Sequence, residues 1–438
     1  MNFLEREPTQ GTIQERLKIF VSAYACEPNL GSEIGVGWHW VLEMSHYFDL
    51  WVLTRESNRH TIEPWMVAHP EYADIHWIYY DLPRWARWWK KGLRGVRTYY
   101  NIWQFCTNRL VKQTMQNNDI QVFHHLTYGN ALWRVSSYGQ KQLFVWGPIG
   151  GLETIPDEFT RHYDWKSRCV EWIRRSVVRC AAWNWGLNRR CQHADLILCK
   201  TAITRDALPK RAWDKIQLFT DVATDITKME GIPASTDHSV TEFISVGRLD
   251  AWRGFDLIIE AIGHVVKAGK PVHLTLVGDG ADKTRLQRLI SRLHLDNQVS
   301  LLGNVPMQTY QQLMKQADVV VNAALKEGAV TVSFDAMAMG KPLICLDTTG
   351  YTRYFQGDHA ICIPQTSRQE VIQSMTTGMI RMTDPDERYQ IGKKAQMAAR
   401  QISWKQHGQE IRDIILTTYH QLVTKRREHG PTISKNPC

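Results

Sequence analysis

Two acids, Glu327 and Asp335, lie eight positions apart in the stretch KEGAVTVSFDAMAMGKPLI, which covers residues 326 to 344. Glu327 follows an apolar segment, and a helix that contains Asp335 is expected to begin shortly after it. Gly328 and Ala329 leave backbone N–H groups uncovered, and the helix is expected to run from about Val330 to Met339. Eight helical residues would separate the two carboxylates by about 12 Å along the axis.

This separation suits a sugar nucleotide. One carboxylate would bind the hydroxyls of a sugar and the other the ribose diol, while the N-terminus of the helix would face the phosphates. A simpler alternative is that acids are favoured in the first turn of a helix. That alternative accounts for Glu327 but poorly for Asp335.

Two arginines follow another apolar segment, in the stretch GRLDAWRGFDLIIEA that begins at Gly247. Arg248 and Arg253 precede a predicted helix, so that their bidentate donors and the helix dipole would bind a diphosphate together. The alternative is two solvated surface arginines. In the next such stretch, LVGDGADKTRL, Gly278 allows a tight turn, but Lys283 replaces the third glycine of a dinucleotide fingerprint. An ordinary turn explains Gly278 as well as nucleotide contact does.

The first half of the chain offers histidines and glycines. His124 and His125 end the predicted strand in QVFHHLTYGN, although buried histidines bound to backbone carbonyls are common. Gly31 belongs to a glycine-rich loop that would let a substrate approach the backbone closely. The loop WGPIGGLETIP at 146–156 has the same character.

Each of these groups follows a short apolar segment, and the segments alternate with helix-length amphipathic stretches. The segments cover residues 17–24, 49–54, 243–247, 273–278, 299–302, 318–323 and 342–346. This pattern predicts an α/β protein with doubly wound parallel sheets whose strands are buried on both faces. Ligands of such sheets bind beyond the carboxyl ends of the strands, where the candidate residues lie.

The length of 438 residues predicts two domains of about 200 residues each. Residues 1–215 would form the first and residues 216–400 the second. The boundary is expected near 205–235, where the stretch GIPASTDHS marks a polar break. A last amphipathic helix at 401–425 is expected to pack back on the first domain, and a basic tail at 426–438 to be disordered.

Composition narrows the function classes. Hydrophobic residues make up 43% and charged residues 22%, and no apolar run reaches the roughly 20 residues of a membrane span, so a soluble, cytoplasmic protein is expected. The nine cysteines form no CxxC pair, which indicates neither a zinc site nor a disulfide framework. The sequence DPD at 384–386 is interpreted as a turn, and neither a metal nor a cofactor is expected.

The net charge of +9 is concentrated in places. Residues 83–118 contain no acid, and a helical wheel puts three tryptophans on one face and cations opposite, which is typical of a segment on an anionic membrane surface. The residues concerned are Trp85, Trp88, Trp89, Arg87, Lys90 and Lys91, with Arg94 beyond them. Residues 165–190 are similar in kind. Core tryptophans with solvated cations are the alternative, and no nucleic-acid recognition module is present.

The motifs VGRLDAWRGFDLIIEA, LTLVGDGADKTRLQRL, LLGNV and KEGAVTVSFDAMAMGKPLI, in this order, resemble those of retaining glycosyltransferases of family 4. The first half resembles them more loosely, through GSEIGVGW and VWGPIGG. The resemblance implies a GT-B fold, in which two Rossmann-like domains face each other across a cleft. It implies that the first domain binds the acceptor and the second the donor.

The resemblance also implies roles for single residues. Arg248 and Arg253 would bind the donor diphosphate, Glu327 the sugar hydroxyls and Asp335 the ribose. Gly31 would lie near the phosphates, and a histidine at 124 or 125 would contact the donor sugar. Arg253 and Asp335 depart from the family, which usually has lysine and glutamate at these positions, and the Pro-Asn-Gly turn of its linker is absent.

The resemblance, taken with these residues, implies a metal-independent, retaining transferase for a hexose from a nucleotide-diphosphate sugar. The acceptor would be a lipid-linked saccharide at the inner face of the cell membrane, in the synthesis of a surface polysaccharide. Two alternatives remain open. One is a sugar-nucleotide epimerase on a similar fold, and the other is an inactive protein that binds lipid or nucleic acid at the membrane periphery.

Overall fold

The computed structural model describes residues 16–87, 89, 95–136, 141–229, 239–326, 331–348, 354–355 and 357–428. These residues form two sheets in which every recorded strand pairing is parallel. The strands read as short runs rich in Val, Ile, Leu and Phe, as expected when helices cover both faces. The predicted fold class, an α/β protein with two Rossmann-like sheets, is confirmed.

The first sheet has seven strands in the order β3-β2-β1-β4-β5-β6-β7. Its strands are β1 (Lys18–Ser22), β2 (Asp49–Arg55), β3 (His76–Tyr80), β4 (Val122–His125), β5 (Leu143–Ile149), β6 (Leu196–Cys199) and β7 (Ile216–Leu218). Its helices are α1 (Ser32–Ser45), α2 (Arg59–Ala68), α3 (Arg84–Arg87), α4 (Val96–Cys106), α5 (Asn108–Asn117), α6 (Asp157–Thr160), α7 (Trp165–Arg179), α8 (Trp185–His193) and α9 (Ala202–Ala207).

The second sheet has six strands in the order β10-β9-β8-β11-β12-β13. Its strands are β8 (Thr241–Val246), β9 (Val272–Val277), β10 (Val299–Gly303), β11 (Val319–Asn322), β12 (Leu343–Asp347) and β13 (Ile361–Pro364). Its helices are α10 (Phe255–Lys267), α11 (Lys283–Arg292), α12 (Met307–Gln316), α13 (Thr331–Ala338), α14 (Arg368–Arg381) and α15 (Pro385–Gln401).

The expected boundary at residue 215 falls before the last strand of the first sheet. Strand β7 pairs with β6, so the first sheet continues to Leu218. Three residues beyond the boundary therefore belong to the first sheet. The physical reason is that β7 is a short edge strand, whose half-buried residues give a weak apolar signal.

The last helix, α16 (Trp404–Glu428), lies against α1 of the first half. The Trp404 ring stacks on His39 with the centroids 5.0 Å apart, and the buried His407 donates from Nε2 to the carbonyl of Thr220 at 2.9 Å. The helix includes residues 426–428, which were expected in a disordered tail, so that part of the prediction was wrong. Residues 429–438 lie outside the described residues. Among the helices that are described, none is long and apolar enough to cross a membrane.

Candidate functional site: the carboxyl ends of the two sheets

Three loops of the second half touch one another through their backbones at the carboxyl ends of β8, β9 and β11. A Cβ atom on Gly278 would lie 1.9 Å from the carbonyl oxygen of Gly247, and one on Gly254 would lie 2.2 Å from that of Ala323. Gly254 also has a φ of +69°, which disfavours other residues. Glycine is therefore required at these positions. The main chains around Gly247, Gly254 and Gly278 together form the floor of the candidate site, which we call the backbone floor.

Arg248 and Arg253 lie on this floor. The Arg248 side chain is 62% exposed and pairs with Asp250. The Arg253 guanidinium lies over the Trp252 ring, 4.4 Å from its centroid, and the carbonyl of Trp252 accepts a hydrogen bond from the N–H of Leu325. The structure therefore brings the two predicted diphosphate ligands together at the carboxyl edge, and their role stays a prediction.

Asp335 lies in α13 and is almost completely buried. Its Oδ2 accepts a hydrogen bond of 2.7 Å from the phenol of Tyr310 in α12. Burial, together with the charge of Asp335, raises the pKa of Tyr310 well above its ordinary value. Tyr310 could not be predicted as a partner of Asp335, because nothing in the sequence links residues 25 positions apart.

The other residues of this stretch that were predicted to bind the donor sugar nucleotide lie outside the described residues, namely Glu327, Gly328, Ala329 and Val330. The neighbouring Lys326 is described, is buried and forms an ion pair with Glu171 of α7 in the first half. Burial lowers the pKa of Lys326 to about 8, although Glu171 acts in the opposite direction. This pair joins the two halves, and Lys326 is one residue before Glu327 in the sequence.

His124 and His125 are buried inside the first half, with exposed fractions of 0% and 2%. His124 donates from Nε2 to the carbonyl of Gly147 at 2.8 Å, and Nε2 of His125 lies 3.0 Å from the hydroxyl of Tyr100. Burial lowers their pKa values to about 4 and about 3. Neither ring reaches the surface, so the structure favours the structural reading over the predicted contact with a donor sugar.

Gly31 precedes α1 and faces the second half of the molecule. A Cβ atom at this position would lie 2.9 Å from the terminal methyl carbon of Met307 in α12. The glycine thus allows the two halves to approach each other at the carboxyl ends of their sheets. This position is compatible with the predicted role of Gly31 near the donor phosphates.

A charged cluster at the carboxyl ends of β1 and β6 was missed as a site. Glu33 accepts a hydrogen bond of 2.7 Å from the backbone N–H of Tyr128, and burial raises the pKa of this carboxyl. Lys200 forms an ion pair with Asp221. Burial lowers the pKa of Lys200, but Asp221 and Glu33 act in the opposite direction and raise it above its ordinary value. The members come from three distant segments, which no local motif could connect.

The loop at 146–156 is held by a buried carboxylate. Oε1 of Glu153 accepts hydrogen bonds from the hydroxyls of Thr201 and Thr204 at 2.9 and 2.7 Å, and Oε2 accepts one from the N–H of Gly151 at 2.8 Å. This network fixes the glycines relative to β6. The loop predicted to be open to a substrate is therefore fixed in position by its own side chain.

The predicted membrane segment is only partly described. Trp88, Lys90, Lys91 and Arg94 lie outside the described residues, and α3 has only four residues. Trp85 is 78% exposed, whereas Trp89 packs near Tyr99 and donates from Nε1 to the carbonyl of Ala86 at 2.9 Å. The expectation that Trp85 and Trp89 share one face was wrong, because the short helix ends before Trp89.

A cavity of about 500 Å³ lies elsewhere, between α12 and the amino-terminal parts of β8 and β9. His273 in its wall contacts Glu242 and Ser300, each at 2.9 Å. Because parallel sheets bind ligands at the opposite ends of their strands, this cavity is not the candidate site. Among the described side chains, no cluster of His, Cys, Asp or Glu could hold a metal ion.

Comparisons with known proteins agree with this geometry. Residues 234–396 match the family described as "Glycosyl transferases group 1", and this region includes the three loops and both arginines. The chain is 26% identical to the phosphatidylinositol N-acetylglucosaminyltransferase GPI3 subunit of Saccharomyces cerevisiae (strain YJM789), over 34% of this chain and 32% of that protein. It is 24% identical to the putative colanic acid biosynthesis glycosyltransferase WcaL of Escherichia coli (strain K12), over 40% of this chain and 44% of that protein. The chain thus spans less than half the length of these curated relatives.

The crystal structure of HepE from Anabaena in complex with UDP-glucose superimposes on 92% of this chain and 100% of that chain. The TM-score is 0.58 and the sequence identity 17%. At this identity the similarity concerns the fold alone. The chain has the GT-B fold, as predicted.

Proposed function

We propose that this protein is a metal-independent, retaining glycosyltransferase that transfers a hexose from a nucleotide-diphosphate sugar to a lipid-linked saccharide. The observation that carries the proposal is the backbone floor of Gly247, Gly254 and Gly278 with two arginines on it, inside the region that matches Glycosyl transferases group 1. The product would belong to a surface polysaccharide or a glycolipid.

The chemistry follows from charge. As the bond between the sugar and the diphosphate breaks, negative charge develops on the leaving phosphate. Arg248 and Arg253 would stabilise this charge in fixed positions, together with the first N–H groups of α10. Because Arg253 lies against Trp252, its guanidinium plane is already oriented before the donor binds.

The acceptor is assigned to the first half of the protein. Glu33 and the ion pair of Lys200 and Asp221 provide carboxylate and ammonium groups for hydroxyls at the carboxyl edge of the first sheet. A lipid-linked acceptor is supported by the yeast relative, which is a phosphatidylinositol N-acetylglucosaminyltransferase subunit, and by exposed tryptophans in this half. The location on the inner face of the cell membrane is part of this proposal.

Calorimetric titration with UDP, GDP, ADP, their hexose conjugates and NAD, with and without magnesium, tests the donor. We expect one nucleotide diphosphate to bind without magnesium, and Arg253→Ala to weaken binding by about ten- to hundredfold, as for charge-assisted hydrogen bonds. Arg412→Ala, which changes an exposed arginine of α16, is the matched control and should bind normally. Binding of NAD alone, or of no nucleotide, would refute the proposal.

Turnover assays separate the proposal from its alternatives. With acceptor, the wild type should transfer sugar and Glu327→Ala should not. Conversion of the donor sugar without any acceptor would instead identify an epimerase. Nucleotide binding without any turnover would favour the inactive binding protein.

A further inference from the structure

Helix α7, the turn Ala181–Trp183 and helix α8 present apolar side chains to solvent. Four tryptophans are exposed to an extent unusual for this residue, namely Trp165 at 72%, Trp172 at 69%, Trp183 at 86% and Trp185 at 71%. Aliphatic side chains lie among them, namely Val170, Ile173 and Val177. We call this region, residues 165–190, the aromatic-basic surface. Exposed apolar surface of this extent indicates an interaction site.

The exposure is not a sign of loose packing, because the inner face of α7 is firmly held. Arg174 donates to the carbonyls of Gly151 and Glu153, each at 3.1 Å, and Arg175 donates to that of Ile155 at 2.7 Å. On the same face the buried Glu171 pairs with Lys326. The orientation of the helix is therefore fixed, and its tryptophans cannot turn inward.

The charge of the surface is of one sign. Glu171 is the only acid in residues 165–190, and it is buried. Two nearby acids are engaged, since Asp164 caps α7 and Asp157 pairs with Arg175. Exposed cations surround the tryptophans, namely Lys166, Arg168, Arg179 and Arg189. The surface therefore complements an anionic partner.

A basic depression lies at one end of this surface. It has a volume of about 610 Å³ and is lined by Trp183, Trp185, Asn188, Arg189, Gln192, His193 and Arg211. The Arg189 guanidinium lies 5.2 Å from the centroid of the Trp185 ring. Arginines beside indoles, with amide groups nearby, suit the phosphate of a lipid headgroup.

We propose that the aromatic-basic surface binds this protein to an anionic phospholipid bilayer. The tryptophans would lie at the headgroup level, with the cations on lipid phosphates. The exposed aliphatic side chains favour a bilayer over a nucleic acid, because Ile173 and Val177 gain by entering the acyl boundary and cannot stack on bases. The inference rests on the proposed function for the membrane location and deepens it by naming the surface that binds. Its test is separate from that of the transfer reaction, because membrane binding needs neither donor nor acceptor.

Flotation with phosphatidylcholine vesicles, with and without phosphatidylglycerol, tests the proposal on the full chain at low salt. We expect binding that requires phosphatidylglycerol. The variant Trp172→Ser/Ile173→Ser/Trp183→Ser should bind these vesicles at least about tenfold more weakly than the wild type does. Since all three side chains are exposed, its circular dichroism and unfolding midpoint should match those of the wild type. Met397→Ser, which removes an exposed apolar side chain from α15 of the second half, is the control and should bind normally. Trp85→Ser tests the other predicted segment separately.

A second variant tests the charges. Lys166→Glu/Arg168→Glu/Arg189→Glu should lose binding to phosphatidylglycerol vesicles while its fold remains. Three outcomes would overturn the proposal. The first is that the wild type does not bind the vesicles. The second is that Trp85→Ser loses binding whereas the triple tryptophan-isoleucine variant keeps it. The third is a dimer in solution or an RNA complex that the triple tryptophan-isoleucine variant abolishes while its vesicle binding persists.

Discussion

The two halves share a strand order but end their strands in different ways. In both sheets the central strands follow the order 3-2-1-4-5, counted within each half. In the second half the carboxyl ends meet through glycine backbones, with Arg248 on the surface. In the first half the same edge is filled by side chains, including the buried His125 and the ion pair of Lys200 and Asp221.

Under the proposed function, this difference suits two kinds of ligand. A main-chain floor with two oriented arginines would accept the phosphates common to all nucleotide sugars. A surface of preorganised side chains is better suited to discriminating among acceptors, because unpaired buried polar groups penalise the wrong one. The comparison therefore predicts that backbone changes will disrupt the second half most, and charge changes the first.

The largest effect is expected for Gly278→Ala. The new methyl group would lie 1.9 Å from the Gly247 carbonyl, at a φ of +135°, so we expect a loss of about 4 kcal/mol in the free energy of unfolding. Gly269→Ala is the control, since its φ is +75° but no atom lies within 4 Å. Its loss should be about 1 kcal/mol. Urea denaturation measures both, and equal losses would refute the backbone contact.

Glu171→Gln should be nearly as destabilising, by about 3 kcal/mol, because it leaves the buried Lys326 ammonium without its carboxylate. Asp358→Asn breaks an exposed pair with Lys394 and should leave the free energy of unfolding almost unchanged. Adding Lys326→Met to Glu171→Gln should restore much of the stability. A double variant as unstable as the single one would contradict the pairing.

The buried histidines predict an acid-sensitive first half. In the folded protein the pKa of His124 is about 4, against 6.5 ordinarily, so the unfolded state binds more protons below pH 6.5. Stability should therefore be full above pH 6.5 and fall by about 3 kcal/mol as the pH decreases to 4. His124→Gln should flatten this dependence, whereas His162→Gln, at an exposed position, should not. Denaturation curves at several pH values measure the slopes.

The smallest effect is expected for Tyr310→Phe, which removes the hydroxyl that donates to Asp335. The loss of one hydrogen bond should lower stability by about 1 kcal/mol. If Asp335 also binds the ribose, nucleotide affinity should change in this variant. Tyr389→Phe, at a tyrosine of α15, is the control for both measurements. Unchanged stability would mean that the phenol and the carboxylate do not pair in solution.

Much of the second half could be predicted from local patterns. Arg248 and Gly278 follow apolar segments of strand length, and the edge where they meet follows from the parallel arrangement. The site in the first half was harder to predict from the sequence. A histidine at the end of a strand, such as His124 or His125, gives the same sequence pattern whether its role is catalytic or structural. Burial separates these readings, and burial depends on distant segments.

The sequence by itself determined the alternation of strands and helices, and with it the parallel sheets and the edge at which ligands bind. The periodicity of apolar residues and the handedness of crossover connections follow local rules, so they can be recognised along the sequence. Only the tertiary structure decided which charges are buried and paired. Glu171 and Lys326 are 155 positions apart. Desolvation is set by all neighbours in space, and no spacing in the sequence records them.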